Sequence, residues 1–242
     1  MTPITTLQSA ADARPDWVSR CMTSVADWCQ RRGYAYQMIG DELFDWVKPD
    51  LRAKLHDRNP ILADLARLRW IESELSARGG LVVWIDADSV VVDPTWRIPD
   101  STHAFFGEEC WVQPTAEGCL AGLSVSPQCV HGLYGGVSRA RFLAYLSESI
   151  IERADAAHIA PQMVGPRLLK SLNNLAQFTL VPKAGAVSPE LLVEWVGGTG
   201  PATACYEQAT RGSLALVNLC SSLTYSEEAM QRREKFLARH DA

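Results

Sequence analysis

The sequence predicts an α/β fold, because short apolar segments alternate along the chain with longer segments of helical periodicity. The central strand is predicted at residues 81–85, where Leu-Val-Val-Trp-Ile forms an apolar run typical of a strand buried on both faces. The helix before this strand is predicted to begin at Asn59, a favourable N-cap, with Pro60 in the first helical position. It is predicted to end at Gly79.

The other helices are predicted from apolar residues at helical spacing and from end signals such as Gly33, Gly165-Pro166 and Ser226. They cover residues 15–32, 139–153, 165–175 and 226–239. The other strands are short apolar or alternating segments, and Val137 is predicted to end one of them. The remaining predicted strands cover residues 4–8, 34–39, 90–92, 105–107, 123–125, 178–181 and 214–219.

Composition excludes some classes of protein. The chain has 242 residues, of which 47% are apolar and 21% charged, as is ordinary for a globular protein. A net charge of −5 gives no general attraction to nucleic acid or an anionic membrane. The seven cysteines are odd in number, scattered and without a CxxC, so we expect reduced, mostly buried thiols. We see no signal peptide and no membrane-spanning stretch, and expect a cytoplasmic protein.

Two acidic residues, Asp86 and Asp88, follow the central strand directly. In extended backbone such residues project to the same side, where two carboxylates repel each other unless a cation lies between them. Hard oxygen ligands suit Mg²⁺ or Mn²⁺, whose open positions accept substrate phosphates. The carboxyl end of a strand is also where open α/β sheets bind ligands. The pair is therefore predicted to form a metal and diphosphate site, with a solvated acidic pair as the alternative.

A second acid, Asp64, lies one helical turn before Arg67 and on the same stripe as Leu68 and Ile71, so it is expected to point toward the sheet. Two interpretations stay open. The pair could be a local ion pair near the start of the helix. Alternatively, Asp64 could accept a hydrogen bond from a sugar or ribose hydroxyl while Arg67 lies near phosphate.

The segment 59–94 resembles the DXD-containing glycosyltransferases, in particular the group with yeast-Golgi-type mannosyltransferases and bacterial polysaccharide glycosyltransferases. The core of the large clostridial glucosylating toxins is related to this group. The resemblance covers most of the chain, but its specific part runs from residue 64 to residue 88. The matching motifs, in order, are Asp64-Leu-Ala-Arg67, Gly79-Gly80, Asp86-Ala-Asp88, Gly165-Pro166 and the stretch 178–182 with Pro189. Five residues separate Gly80 from Asp86, two more than is usual in the family.

The resemblance implies a GT-A fold, a single α/β domain over residues 1–242 with a mixed central sheet flanked by helices. Residues 1–100 would form the nucleotide-binding half, ending in the DXD strand, and residues 101–242 the acceptor-side half. The family also implies a UDP- or GDP-sugar donor, Mn²⁺ or Mg²⁺, and in most members retention of anomeric configuration.

By position, the resemblance assigns residues to the donor and the metal. Donor contacts would come from Gln8 on the first strand and from Asp64, Arg67, Asp86 and Ala87. Asp86 and Asp88 would hold the metal. The family often has a metal-binding His near the C-terminus, and Asn218 stands in the matching segment as a weaker third ligand.

Other candidates come from the residues themselves. Glu108 or Glu109, after Phe-Phe-Gly, could contact the acceptor hydroxyl or stabilise a developing oxocarbenium ion; two exposed acids are the alternative. Gln162 could face the donor sugar. Gly135 and Gly136 could let the backbone approach the sugar closely, although a plain turn fits equally well.

Two other functions fit an apolar strand followed by Asp-x-Asp. In a phosphatase Asp86 would be the nucleophile and Asp88 the acid and base. Ser89-Val90 follows here instead of the usual Gly-Thr, and no Asp-Asp pair occurs later in the chain. The second possibility is a nucleotide-sugar-binding protein without turnover. For a transferase, the acceptor could be a glycan, a lipid-linked sugar, a protein or, against the acidic charge balance, a modified nucleobase.

Overall fold

The computed structural model describes residues 2–56, 58–99, 104–134, 137–176, 178–210, 212–221 and 226–240, and only the backbone at 126–131, 133–134 and 137–138. The strands are β1 (Ile4–Ser9), β2 (Ala35–Ile39), β3 (Leu81–Trp84), β4 (Ser89–Val91), β5 (Phe105–Thr115), β6 (Gly118–Tyr134), β7 (Thr179–Val181), β8 (Ala184–Ala186) and β9 (Leu216–Asn218). The α-helices are α1 (Asp16–Arg32), α2 (Pro49–Lys54), α3 (Asn59–Arg78), α4 (Val137–Arg153), α5 (Pro166–Ala176), α6 (Pro189–Gly197), α7 (Pro201–Ala209) and α8 (Glu227–Ala238). Short 3-10 helices cover Asp41–Trp46 and Ala156–His158.

The strands form two sheets. The larger sheet has the order β2-β1-β3-β6-β5-β7, in which β2, β1 and β3 are parallel and β6 is antiparallel to both β3 and β5. The smaller sheet has the order β4-β9-β8. Strands from the first hundred residues pair with later strands in both sheets. The predicted α/β class with a mixed central sheet and flanking helices is confirmed.

The central strand β3 is covered on both faces, which explains its continuous apolar sequence. Val82 and Trp84 pack in one hydrophobic cluster with residues of α3, α4 and α5. Leu81 and Val83 point the other way and pack in a cluster with α1 and the smaller sheet. Successive side chains of a strand alternate between its faces, so each face receives half of the apolar run.

The largest difference from the sequence prediction is the hairpin of β5 and β6. Short strands were expected at residues 105–107 and 123–125, but β5 has 11 residues and β6 has 17, paired from Phe105 to Thr115 with one register shift after Phe106. Polar residues such as Glu108, Glu109 and Gln113 interrupt the apolar pattern along β5. Backbone pairing with β6 maintains the strand there without a continuous apolar signal.

Several element ends also differ. Residue 137 begins α4, so the prediction that Val137 ends a strand is wrong. Helix α3 has Arg58 at its N-cap, one residue earlier than predicted, and Arg58 donates to the backbone carbonyls of Ala156 and Ile159. This contact with a distant segment fixes the helix start in a way that local sequence does not show. The short elements α2, α6, α7 and β8 were not predicted.

The cysteines whose side chains are described are free thiols, namely Cys21, Cys29, Cys110, Cys119, Cys205 and Cys220. Three of these six are buried and three are partly exposed, so burial is less general than expected. None of the helices in the described part of the chain is both long enough and apolar enough to cross a lipid bilayer.

Candidate functional site

The two acids Asp86 and Asp88 lie in a turn between the two sheets, not in a strand. Strand β3 ends at Trp84, the Ile85 N–H donates to the Leu7 carbonyl at 3.1 Å, and the Ser89 N–H donates to the Asp86 carbonyl at 3.0 Å. The extended geometry assumed from the sequence is therefore wrong. The chain turns here because β4 leaves the central sheet and pairs with β9. Both acids nevertheless lie beyond the carboxyl ends of the parallel strands β1 and β3.

The Asp88 carboxylate is held by the segment that follows β9. Asn218 donates from Nδ2 to Asp88 Oδ1 at 2.7 Å, and the Ser221 N–H donates to Asp88 Oδ2, also at 2.7 Å. The Asn218 Oδ1 accepts from the Cys220 N–H at 2.8 Å, which fixes the amide orientation. Asn218 thus directs its donor at Asp88 and uses its oxygen on the backbone. In this arrangement Asn218 positions Asp88, and its role as third metal ligand stays a prediction.

Helix α8 contacts the segment after β9 through the side chain of Arg233. Arg233 is buried and donates from Nε to the Leu219 carbonyl at 3.0 Å and from Nη2 to the Cys220 carbonyl at 2.8 Å. Cys220 has a φ of 49°, in the left-handed region that non-glycine residues rarely adopt. The guanidinium also lies over the Trp17 ring, 5.0 Å from its centroid. Arg233 was not predicted as a site residue, because nothing in its local sequence indicates a contact with the segment after β9.

Asp86 is held from the other side by the parallel strands. The Trp84 indole N–H donates to Asp86 Oδ1, and Arg67 Nη1 lies 3.5 Å from the same oxygen. Gln8 donates from Nε2 to the Asp86 carbonyl at 3.1 Å and accepts at Oε1 from the Tyr36 hydroxyl at 2.8 Å. Gln8 is fully buried. Its amide holds the turn in place, and the contact of Gln8 with the donor stays a prediction.

Asp64 and Arg67 form a buried ion pair. Their side chains are 6% and 8% exposed, and Arg67 Nη2 contacts Asp64 Oδ1. Gly165 packs so closely on the Asp64 carboxylate that any side chain there would overlap it. Both charged residues line a small internal cavity beside Gly165 and not the larger cleft at Asp86. The ion pair expected under one of the two interpretations is present and extends through Arg67 to Asp86. The contact of Asp64 and Arg67 with the donor stays a prediction.

Burial raises the pKa of Asp86 to about 6, although its side chain stays 26% exposed. The neighbouring Asp88 carboxylate also raises this pKa, while Arg67 and the hydrogen bond from Trp84 lower it. Burial likewise raises the pKa of the Cys220 thiol well above its usual value, so this thiol stays protonated at neutral pH. Asp86 is therefore a carboxylate whose negative charge is only partly compensated by the protein.

A cleft of about 440 Å³ contains both acids of the turn. Helix α5 contributes Arg167 and Lys170, which are three residues apart and lie on one face of its first turns. Gln162, just before α5, also lines the cleft, and its contact with the donor sugar stays a prediction. The cleft thus places two cationic side chains in the same space as the two carboxylates of the turn.

The two glutamates after Phe-Phe-Gly point to opposite faces of β5. Glu109 lines the cleft, whereas Glu108 lies on the opposite face of β5 and does not. Ala87, between the two acids, packs against the hydrophobic cluster of α1 and α6–α8. Gly135 and Gly136 lie outside the described residues.

The residues of the cleft that were not predicted from the sequence include Trp111, Ser124, Arg167 and Lys170. The basic residues had a usable signal, because an Arg and a Lys at helical spacing directly follow the Gly165-Pro166 helix start. No sequence signal indicates that Trp111 and Ser124 line the cleft, because their position there depends on the long β5–β6 hairpin.

The donor set at the turn fits a hard divalent cation. Asp86 and Asp88 supply carboxylate oxygens, and Mg²⁺ and Mn²⁺ are commonly bound by one or two carboxylates together with water and substrate phosphates. Within the described ranges, no group of three or more His, Cys, Asp or Glu side chains could hold a metal ion on its own. A cation at this turn would thus depend on substrate oxygens to complete its coordination, and a closed zinc site does not fit.

No protein-family model matches the chain, and no curated protein matches it in sequence. One solved structure to which it is similar is a glycosyltransferase involved in the glycosylation of the major capsid of PBCV-1. The two chains are 12% identical, with a TM-score of 0.47, and the alignment covers 98% of this chain and 99% of that chain. A similarity at this level does not assign the chain to a family.

Proposed function

We propose that the protein is a glycosyltransferase that takes a sugar from a UDP- or GDP-sugar donor, with Mn²⁺ or Mg²⁺ held at Asp86 and Asp88. The observation that carries the proposal is the composition of the cleft. Two carboxylates and the cationic side chains of Arg167 and Lys170 line one space beyond the carboxyl ends of parallel strands. The GT-A architecture implied by the sequence resemblance is part of the same proposal.

The chemistry of a nucleoside diphosphate matches this cleft. A cation bound by Asp86 and Asp88 would neutralise the diphosphate as it leaves. Arg167 and Lys170 supply further positive charge for the phosphate oxygens. Asn218 and the Ser221 N–H keep the Asp88 carboxylate oriented in the cleft. Gln162 is available for a hydroxyl of the donor sugar.

The transfer exchanges one bond at the anomeric carbon of the donor sugar. The bond from this carbon to the β-phosphate oxygen breaks, and its electron pair leaves with the nucleoside diphosphate. The acceptor oxygen forms the new bond. With retention, as the resemblance implies, the acceptor attacks on the face that the diphosphate leaves, and its hydroxyl proton passes to the departing phosphate oxygen. Glu109 lines the cleft, and its carboxylate stabilises the positive charge on the sugar ring.

Metal affinity is expected to fall as the pH falls below 6. The cation binds the ionised form of Asp86, so protons compete with it below the raised pKa of about 6. Between pH 7 and pH 5 the apparent Mn²⁺ affinity should drop about tenfold, because one carboxyl takes up a proton in this interval. Titration of the protein with Mn²⁺ by calorimetry at several pH values measures this. An affinity that is constant from pH 7 to pH 5, as two ordinary carboxyls would give, contradicts the assignment.

The transferase proposal is tested by product formation. The protein is incubated with Mn²⁺, a panel of UDP- and GDP-sugars and simple glycoside acceptors, and the released nucleoside diphosphate is measured by chromatography. At least one donor should yield nucleoside diphosphate, and Glu109→Gln should lower the rate by about 100-fold, the scale of a lost carboxylate in the active site.

Glu117→Gln is the matched control, since Glu117 is an exposed acid at the tip of the same hairpin. This variant should keep the wild-type rate. Release of inorganic phosphate from phosphomonoesters would instead identify a phosphatase. Tight binding of a nucleotide sugar without release of nucleoside diphosphate would identify a binding protein.

A further inference from the structure

We propose that Trp111 forms an acceptor subsite that binds a sugar ring by stacking, so that the acceptor is a saccharide. This inference rests on the proposed function and adds the class of acceptor. It concerns one face of the β5–β6 hairpin, which carries Glu109, Trp111 and Ser124, all three lining the cleft.

The pairing of the hairpin leaves the Trp111 ring without a side chain opposite it. Trp111 pairs in register with Gly122, and residues paired in this way point to the same face of the sheet. A Cβ placed on Gly122 would have no atom within 4 Å, so the space beside the backbone there is open. A flat surface next to open space is what a ring-shaped ligand requires.

Trp111 is also not needed to hold the strand. Its neighbours Cys110 and Val112 point to the other face and are 3% and 0% exposed in the hydrophobic cluster with α6 and α7. In the part of the chain that the structure describes, the buried core clusters do not include Trp111, which is only partly buried. The hairpin is thus anchored on one face, and the indole is presented on the other.

The polar neighbours on this face match a saccharide. Glu109 pairs in register with Ser124. The carboxylate of Glu109 and the hydroxyl of Ser124 therefore lie on the same face as the Trp111 ring, two residues away along the hairpin. A sugar ring presents C–H groups on its faces and hydroxyls at its edge. The indole can cover the apolar face, as aromatic side chains do, while Glu109 and Ser124 take hydroxyl hydrogen bonds.

The position along the strand assigns this subsite to the acceptor and not to the base of the donor. The acid turn is contacted by Gln8, Trp84 and Arg67 from the side of β1, β3 and α3. Trp111 lies on β5, two strands away from β3, and two residues beyond Glu109 toward the hairpin tip. With the diphosphate at the turn, the ring therefore lies on the far side of the reacting centre.

The test measures binding of two probes separately. Calorimetry with UDP and GDP in the presence of Mn²⁺ reports the donor site. Saturation-transfer NMR with methyl glycosides of glucose, galactose, mannose and N-acetylglucosamine, in the presence of the bound nucleoside diphosphate, reports the acceptor site. Trp111→Ala should weaken glycoside binding about tenfold or more and leave nucleoside diphosphate affinity within about twofold.

Trp111→Phe keeps a flat ring and should retain glycoside binding within about threefold of wild type. Trp46→Ala is the control, because Trp46 is 40% exposed on a 3-10 helix that does not line the cleft. Trp46→Ala should bind the nucleoside diphosphates and the methyl glycosides as wild type does.

Three outcomes overturn the acceptor subsite while leaving the proposed function intact. They are equal glycoside binding by Trp111→Ala and wild type, no glycoside binding by wild type carrying nucleoside diphosphate, and loss of nucleoside diphosphate itself in Trp111→Ala. The last outcome would mean that the indole stacks on the donor base. Failure of wild type to bind either nucleoside diphosphate with Mn²⁺ overturns the proposed function, and the acceptor subsite with it.

Discussion

Asp88→Asn should weaken Mn²⁺-dependent binding of UDP or GDP by about 100-fold or more, because it removes one of the two charged ligands of the proposed cation. The effect is expected to be large because Asp88 is 9% exposed and its carboxylate is oriented by hydrogen bonds from Asn218 and Ser221. The substituted amide keeps the shape of the side chain and removes its charge. Calorimetric titration with nucleoside diphosphate at fixed Mn²⁺ concentration measures the change.

The control for this experiment is Asp50→Asn, which removes the same charge from an exposed position on α2. Nucleoside diphosphate affinity should not change in this variant. A thermal melt of Asp88→Asn checks that the fold is intact. Wild-type affinity in a folded Asp88→Asn protein would show that the cation site is placed wrongly.

Arg67→Met should lower the free energy of unfolding by about 3–5 kcal/mol, the usual effect of removing one partner from a buried ion pair. Asp64, with a side chain 6% exposed, would be left without its cationic partner. Asp86 would lose the guanidinium 3.5 Å away that lowers its pKa. The stacking of Arg67 over Trp84, at 5.6 Å from the ring centroid, would also be lost. Urea unfolding at pH 7 measures the deficit.

The loss of stability in Arg67→Met should also depend on pH, which a loss caused only by poorer packing would not. Without Arg67 the pKa of Asp86 in the folded protein rises further above its unfolded value, so the folded state binds more protons than the unfolded state. Stability should therefore increase as the pH falls from 7 to 5, and the deficit should shrink. Arg52→Met is the control, because the Arg52–Asp45 pair is exposed and should contribute less than about 1 kcal/mol. A pH-independent deficit, or none, would contradict this account of the buried pair.

The sequence was sufficient for features that depend on local pattern. The apolar run at 81–85 predicted the central strand and the place of Asp86 and Asp88 at its end, and helical spacing predicted that Asp64 points inward. It did not predict that the acids lie in a turn. This depends on β4 pairing with β9, whose residues are about 130 positions further along the chain.

The other differences between the sequence predictions and the structure also arise from contacts between residues that are far apart in the chain. Arg167 and Lys170 reach the cleft only because α5 packs beside β6, and Trp111 does so because β5 continues along β6 far beyond its apolar start. Asn218 was placed correctly beside Asp88, but its role depended on which end of its amide faces the carboxylate. The hydrogen bond from the Cys220 N–H decides that, and no sequence pattern indicates it.

The central claim is that the turn of Asp86 and Asp88 binds a divalent cation that carries a nucleoside diphosphate. Titration of the wild-type protein with UDP and GDP, with Mn²⁺ and then with a chelator in its place, tests it most directly. We expect one of these nucleotides to bind with Mn²⁺ and to lose at least about 100-fold in affinity without it. Equal affinity with and without the metal, or no binding of either nucleotide, would contradict it.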